Sequence, residues 1–210
     1  MSLSIFEARS SHEFLRILGD RHPIRDLTST HPTSTSWIGV DAACRLLATL
    51  ARANLIAFPL SVNCWDRPHF RIVSGNLRIA LNVVTAIPPQ TADDELRRSN
   101  ASREEKPTPT VEEQWALLMH RRVATQSAEL LNVRGREHDF DWLTILDTLP
   151  LEDVGLGRAT NLLGRLLRNY WSRPRRIHMV FIHHKSVIVR IHPLGSDHLV
   201  VHDQWGAPVC

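Results

Sequence analysis

The feature that most constrains the fold is a set of three strand-forming segments within residues 177–206. Each segment is rich in β-branched residues, which suit a pleated and partly buried surface. Turn-forming residues, including Pro193 and Gly195, separate the second segment from the third. The sequence therefore predicts an antiparallel sheet built from Ile177–Ile182, Ser186–Ile191 and Leu199–His202.

Ionisable side chains are concentrated at the ends of these predicted strands. His183 and His184 follow the first strand, and Asp203 follows the third. Polar groups at strand ends can face a cleft, and a histidine held by a carboxylate can act as a general base. A base of this kind needs a nucleophile from another part of the chain.

Cys44 is the candidate nucleophile, because it lies in a segment of strong helix formers, Ala42–Ala53, that follows Asp41. With Asp41 as the N-cap, Cys44 falls in the first turn, where the helix dipole and free amides lower a thiol pKa. The alternative is that Cys44 is a small buried core residue, as many free cysteines are. Cys64 lies beside a turn that contains Pro68, so it ranks below Cys44 as a nucleophile.

The rest of the chain alternates between predicted helices and strands. A β-meander is predicted over Leu55–Val62, Phe70–Val73 and Leu77–Val84, with its clearest turn at Gly75 and Asn76. Helices are predicted over Ser11–Leu18, Val111–Leu131, Phe140–Thr148 and Gly157–Trp171. Residues 88–110 contain almost no apolar side chain, so we expect a flexible loop within one α+β domain that spans residues 1–210.

A cysteine-bearing N-terminal helix, a helical middle and a C-terminal antiparallel sheet together resemble the papain-like cysteine peptidases. Asp41–Cys44 resembles the D-x-x-C helix entry of ovarian-tumour-type (OTU) deubiquitinases, and His183–Val187 resembles their H-x-x-S-V strand start. His184–Val189 and His202–Gly206 resemble the H-x-S and Y-D-S-L-G strands of ubiquitin-like-protein proteases. The fold that this resemblance implies is papain-like and of the α+β class.

The same resemblance implies a cysteine protease that hydrolyses peptide or isopeptide bonds, such as a viral or pathogen enzyme that removes ubiquitin or processes a polyprotein. Cys44 would attack the carbonyl, and His183 or His184 would accept its proton. Asp203 would orient the imidazole, or Asp41 would do so if the OTU-like pattern applies. The implied partner is a protein substrate such as ubiquitin or a ubiquitin-like protein.

Cofactors and metals are not expected, because the histidine spacing fits no tetrahedral zinc pattern and no paired C-x-x-C is present. Three cysteines without repeated spacing argue against a disulfide framework and favour a reducing compartment. No segment approaches the roughly 20 apolar residues of a membrane span. The expected location is therefore the cytoplasm, which would be the host cytoplasm for a viral or effector protein.

A second class of function follows from the charge distribution. The chain has no acidic residue between Val154 and Ser196. The basic residues there are Arg158, Arg165, Arg168, Arg173, Arg175, Arg176, Lys185 and Arg190. This region could engage RNA or a host protein in a non-enzymatic binding protein. The alternative is a solvated surface whose charges are balanced by acidic residues from other segments.

Overall fold

The structure is a computed structural model that describes residues 3–19, 37–64, 69–86, 109–131, 138–149, 151–170, 177–185, 187–192 and 197–200. Within these ranges the chain forms four helices and one eight-stranded mixed sheet. The elements in chain order are β1 Leu3–Ala8, α1 Ser11–Gly19, α2 Trp37–Arg52, β2 Leu60–Cys64, β3 Phe70–Ser74, β4 Leu77–Thr85, α3 Val111–Leu131, β5 Phe140–Leu146, α4 Leu156–Tyr170, β6 Ile177–His184, β7 Val187–His192 and β8 Asp197–Val200. The predicted mixture of helices and strands is confirmed.

The eight strands lie side by side in the order in which they occur along the chain. Neighbours from β1 to β4 are antiparallel, as are those from β6 to β8. The central strand β5 instead pairs in parallel with both β4 and β6. A parallel pair needs a crossover connection, and α3 and α4 belong to these two crossovers. The carboxyl ends of β4, β5 and β6 therefore meet at one edge of the sheet.

The helices cover the two faces of the sheet and form two separate cores. On one face, which we call the α2 face, residues of α1 and α2 pack with Phe181 of β6. On the other, the α3–α4 face, residues of α3 and α4 pack with Ile182 of β6. Because successive strand residues point to opposite faces, His183 continues the row of Phe181 and His184 continues the row of Ile182.

Local sequence signals account for several element boundaries. Helix α3 begins with a capping box, in which the Glu113 N–H donates to Thr110 Oγ1 and the Thr110 N–H donates to Glu113 Oε2. The predicted meander is present as β2, β3 and β4, but its first strand begins at Leu60 rather than Leu55. Gly75 adopts a φ of 58° in the turn after β3. Helix α4 is amphipathic, because Leu163 and Leu167 are buried whereas Arg165 and Arg168 are exposed.

The predicted helix over Phe140–Thr148 is wrong, because Phe140–Leu146 forms strand β5. Five successive residues of β5 are buried, since helices cover both faces of this strand. A strand buried on both sides lacks a regular alternation of apolar and polar residues. In β5 the polar residues Asp141 and Thr144 are buried among apolar ones, so the segment has no period that distinguishes it from a short buried helix.

The predicted C-terminal antiparallel strands are present as β6, β7 and β8, but they continue a larger mixed sheet rather than forming a sheet of their own. Strand β6 also extends two residues beyond the predicted end at Ile182. Most of the expected flexible loop, residues 88–110, lies outside the described residues.

Candidate functional site

The candidate site lies where the central parallel strands end. Asp147 directly follows β5, and its backbone N–H donates to the carbonyl of His183 at 2.9 Å. The N–H of Ala86, which follows β4, donates to the carbonyl of Leu146 at 2.8 Å. These bonds continue the parallel ladders beyond the strand ends and hold Asp147 beside the end of β6.

His184 and Asp147 form a close side-chain pair at this edge. His184 Nδ1 lies 2.5 Å from Asp147 Oδ2, and the two side chains are only 12% and 4% exposed. The indole Nε1–H of Trp115 donates to the same Oδ2 at 2.6 Å, and the Leu149 N–H donates to Oδ1 at 3.2 Å. Because Asp147 occupies Nδ1, the other ring nitrogen, Nε2, is the one left to exchange a proton with another group.

His183 lies on the α2 face, opposite to His184, and its environment is different. Burial, and after it the positive charge of Arg45, lowers the pKa of His183 to about 3. Its Nε2 atom is buried and has no hydrogen-bond partner among the described residues. Arg45 itself is paired with Asp41, whose Oδ2 lies 2.7 Å from Arg45 Nε. The structure therefore brings Asp41 near Arg45, and gives a carboxylate partner to His184 rather than to His183.

The expectation that Cys44 lies in the first turn of a helix is wrong. Helix α2 begins at Trp37, so Cys44 is two turns inside it and far from the free amides of the N-terminus. The residue is 6% exposed and belongs to the core of the α2 face. Burial, followed by the charge of Asp41 and the nearby Cys64, raises the pKa of the Cys44 thiol to about 12. The thiol pKa moves in the opposite direction to the one expected.

The predicted site residues are thus distributed over both faces of the sheet. Cys44 belongs to the core of the α2 face, whereas His184 contacts Asp147 on the α3–α4 face. The structure does not bring Cys44 and His184 together, so Cys44 as a nucleophile stays a prediction. Asp203 lies outside the described residues, and the carboxylate found beside His184 is Asp147.

Two residues of the site were not identified from the sequence. Asp147 fell inside the wrongly predicted helix, and Trp115, a completely buried residue of α3, was assigned no role in a site. A polar residue that directly follows a buried apolar run was the available signal for Asp147. The bond from the Trp115 indole had no sequence signal, because it joins positions 32 residues apart.

A second histidine–aspartate pair lies at the opposite end of β5. His138 Nε2 is 2.7 Å from Asp141 Oδ1, and the side chains are 15% and 5% exposed. The backbone N–H of Asp141 donates to His178 Nδ1 at 2.9 Å. This pair matches His184 and Asp147 in chemistry and burial but lies at the amino end of the parallel strands. It therefore provides an internal control for the candidate site.

Within the part of the chain that the structure describes, no cluster of three or more His, Cys, Asp or Glu residues could hold a metal ion. In the same residues, no helix has both the length and the apolar character needed to cross a membrane. Comparisons with known proteins give no match, whether with protein-family models, curated proteins or solved structures.

The first prediction concerns thiol reactivity in the Cys210→Ser background. A pKa of about 12 instead of 9.0 lowers the thiolate fraction of Cys44 at neutral pH by about a thousandfold. Burial raises the pKa of Cys64 as well. We expect both thiols to react with a chromogenic disulfide only as fast as the protein unfolds, and rapidly in denaturant. Fast labelling of Cys44 in the native protein would contradict the burial of its thiol.

The second prediction concerns acid stability. A His183 pKa of about 3 in the folded state means that the unfolded chain binds the proton first as the pH falls below the ordinary value of 6.5. Its contribution to stability is therefore present at neutral pH and is lost between pH 6.5 and about 3. Between pH 7 and pH 5 we expect the free energy of unfolding to fall by about 2 kcal/mol more in wild type than in His183→Leu. Urea denaturation of both proteins measures this difference, and equal pH dependence would contradict the assignment.

Proposed function

We propose that the chain is a hydrolase in which His184 is the general base and Asp147 is the residue that orients it. The observation that carries this proposal is the buried contact of 2.5 Å between His184 Nδ1 and Asp147 Oδ2 at the carboxyl edge of the parallel strands. A buried carboxylate on Nδ1 holds the ring in one orientation and stabilises the imidazolium that forms when Nε2 accepts a proton.

The bond that we propose is hydrolysed is the peptide or isopeptide bond expected from the sequence. The proposed substrate is ubiquitin or a ubiquitin-like protein. Nε2 of His184 removes a proton from water while the water oxygen attacks the carbonyl carbon. The tetrahedral intermediate then collapses, the carbon–nitrogen bond breaks, and the same proton passes from Nε2 to the leaving amine. Asp147 takes the orienting role that the sequence suggested for Asp203 or Asp41.

Water is proposed as the nucleophile because the properties of Cys44 do not favour a thiolate. Its thiol is buried, has a pKa raised to about 12 and belongs to the core on the other face of the sheet. The sequence-based hypothesis of a papain-like thiol protease differs in one testable respect. It requires Cys44→Ala to abolish hydrolysis, whereas the proposal with water expects Cys44→Ala to retain it.

The third prediction tests the base. We expect His184→Gln to lower kcat by about 100-fold to 10,000-fold, because the base is lost. Asp147→Asn should also lower kcat, because the amide can donate to Nδ1 and hold the wrong tautomer. The measurement is release of a fluorescent amine from ubiquitin C-terminal amides and from a library of peptide amides.

The matched controls are His138→Gln and Asp141→Asn, which disrupt the equivalent pair at the amino end of the strands. These two variants should retain wild-type kcat. The proposal is wrong if His184→Gln keeps full activity, or if Cys44→Ala alone abolishes it, which would favour the thiol protease. Urea denaturation of each variant distinguishes loss of chemistry from loss of folding.

The second candidate is a non-enzymatic binding protein, and the surface of α4 favours it. Arg158, Arg165 and Arg168 are exposed on the outer side of this helix. Helix α4 contains no acidic residue. The pKa of Glu112 in α3 is lowered first by a hydrogen bond from its own backbone N–H, and the charge of Arg158 adds to this effect. Arg173, Arg175 and Arg176, which belong to the same predicted basic region, lie outside the described residues. A phosphate backbone such as that of RNA is the partner that this arginine stripe would attract.

The fourth prediction tests this candidate. Binding to single-stranded RNA should weaken as salt rises, and replacing Arg158, Arg165 and Arg168 by Ala should reduce the slope of log K against log salt by about 2. The control replaces three exposed arginines from the N-terminal part of the chain, Arg9, Arg16 and Arg52. Fluorescence anisotropy with labelled oligonucleotides measures both. Equal effects of the two triple variants would indicate only a general response to net charge.

A further inference from the structure

We propose that Trp115 is a positioning residue of the candidate site, and that its indole N–H fixes the tautomer of His184. It does so by holding the Asp147 carboxylate in the orientation in which Oδ2 faces His184 Nδ1. Its effect on rate rests on the proposed function, whereas its effect on the histidine tautomer does not.

The geometry places both partners on one oxygen atom. Asp147 Oδ2 lies 2.6 Å from Trp115 Nε1 and 2.5 Å from His184 Nδ1. Trp115 is completely buried, so its N–H needs an acceptor inside the protein. The bond joins helix α3 to the end of β5, and thereby connects the crossover helix to the edge where the site lies.

Rotation of the Asp147 carboxylate is restrained at both oxygens. The terminal torsion of an aspartate is intrinsically broad, so the side chain alone does not select one orientation. The Leu149 N–H restrains Oδ1 at 3.2 Å, and the Trp115 N–H restrains Oδ2 at 2.6 Å. Without the indole N–H, only the longer of these two bonds would resist rotation away from His184.

The same donors favour one position for the proton that His184 and Asp147 share. An indole N–H and a backbone N–H can only donate, so both carboxyl oxygens of Asp147 are acceptors toward them. An ionised carboxylate can only accept, so Nδ1 of His184 carries the proton of the shared bond. The lone pair is consequently on Nε2, which is the arrangement that a general base requires.

The pair at the other end of β5 gives the opposite expectation. His138 faces Asp141 through Nε2, so its proton should lie on Nε2 and its lone pair on Nδ1. Among the described residues, no tryptophan N–H donates to Asp141. Its tautomer should therefore not respond to a change at Trp115, and His138 serves as an internal reference in the same spectrum.

The experiment replaces Trp115 by benzothienylalanine, which keeps the ring shape but has sulfur in place of the N–H. Trp115→Phe is the second variant, for the case in which the first does not fold. Ring nitrogens of 15N-labelled histidine are observed by NMR at about pH 8.5, above the ordinary titration range of histidine. Initial rates are measured on the amide substrate, with kcat and KM determined separately.

In wild type we expect His184 to carry its proton on Nδ1 only. In both variants a fraction with the proton on Nε2 should appear, and kcat should fall by about tenfold with KM unchanged, as for loss of a hydrogen bond to a charged group. The His138 signals should stay the same. The inference is overturned if His184 remains entirely in the Nδ1–H form in a folded variant, even when stability falls.

The two proposals fail in different ways. A wild-type protein without hydrolase activity, in which the variants still change the His184 tautomer, would support the role of Trp115 and reject the proposed function. If hydrolysis depends on His184 but the His184 tautomer does not respond to changes at Trp115, the proposed function is supported and the role of Trp115 is rejected.

Discussion

Parallel pairing of β5 with both of its neighbours is the constraint on which the rest of the structure depends. It requires two crossover connections, and their helices α3 and α4 pack together on one face. With α2 on the other face, β5 becomes buried on both sides. Parallel pairing also aligns the carboxyl ends of β4, β5 and β6. Asp147 and His184 therefore meet although they are 37 residues apart in the chain.

Strand alternation at the end of β6 then separates two adjacent histidines into different chemical environments. His183 enters the apolar layer under α2, where burial disfavours the imidazolium. His184 enters the opposite layer, where the Asp147 carboxylate lies against its Nδ1. Adjacent identical side chains therefore have different surroundings, and the difference comes from the pleat of the strand rather than from the local sequence.

The elements that could be predicted were those with a local signal. The meander has its turn at Gly75, and α4 has leucines and arginines on opposite sides, so neighbouring residues alone indicate each element. The site depends on non-local information. Assigning β5 as a strand requires knowledge that helices cover both of its faces, and the pairing of His184 with Asp147 follows only from that assignment.

Cys44 illustrates the same limit in electrostatic terms. Its predicted reactivity depended on where the helix begins, and a start at Trp37 rather than near Ala42 moves the thiol from the helix terminus into the core. Helix boundaries are weakly determined by sequence. The sign of the pKa shift therefore changed with a displacement of about one turn.

The strand order has a consequence for synthesis on the ribosome. Because every strand pairs with its neighbour in the chain, all contacts among β1, β2, β3 and β4 are complete once residue 85 has emerged. The edge of β4 that later receives β5 is then an open row of backbone donors and acceptors, and β5 begins only at Phe140. Nascent chains of this length expose the unpaired edge of β4, a strand with mostly apolar side chains. At this stage of synthesis, self-association through β4 would compete with correct folding.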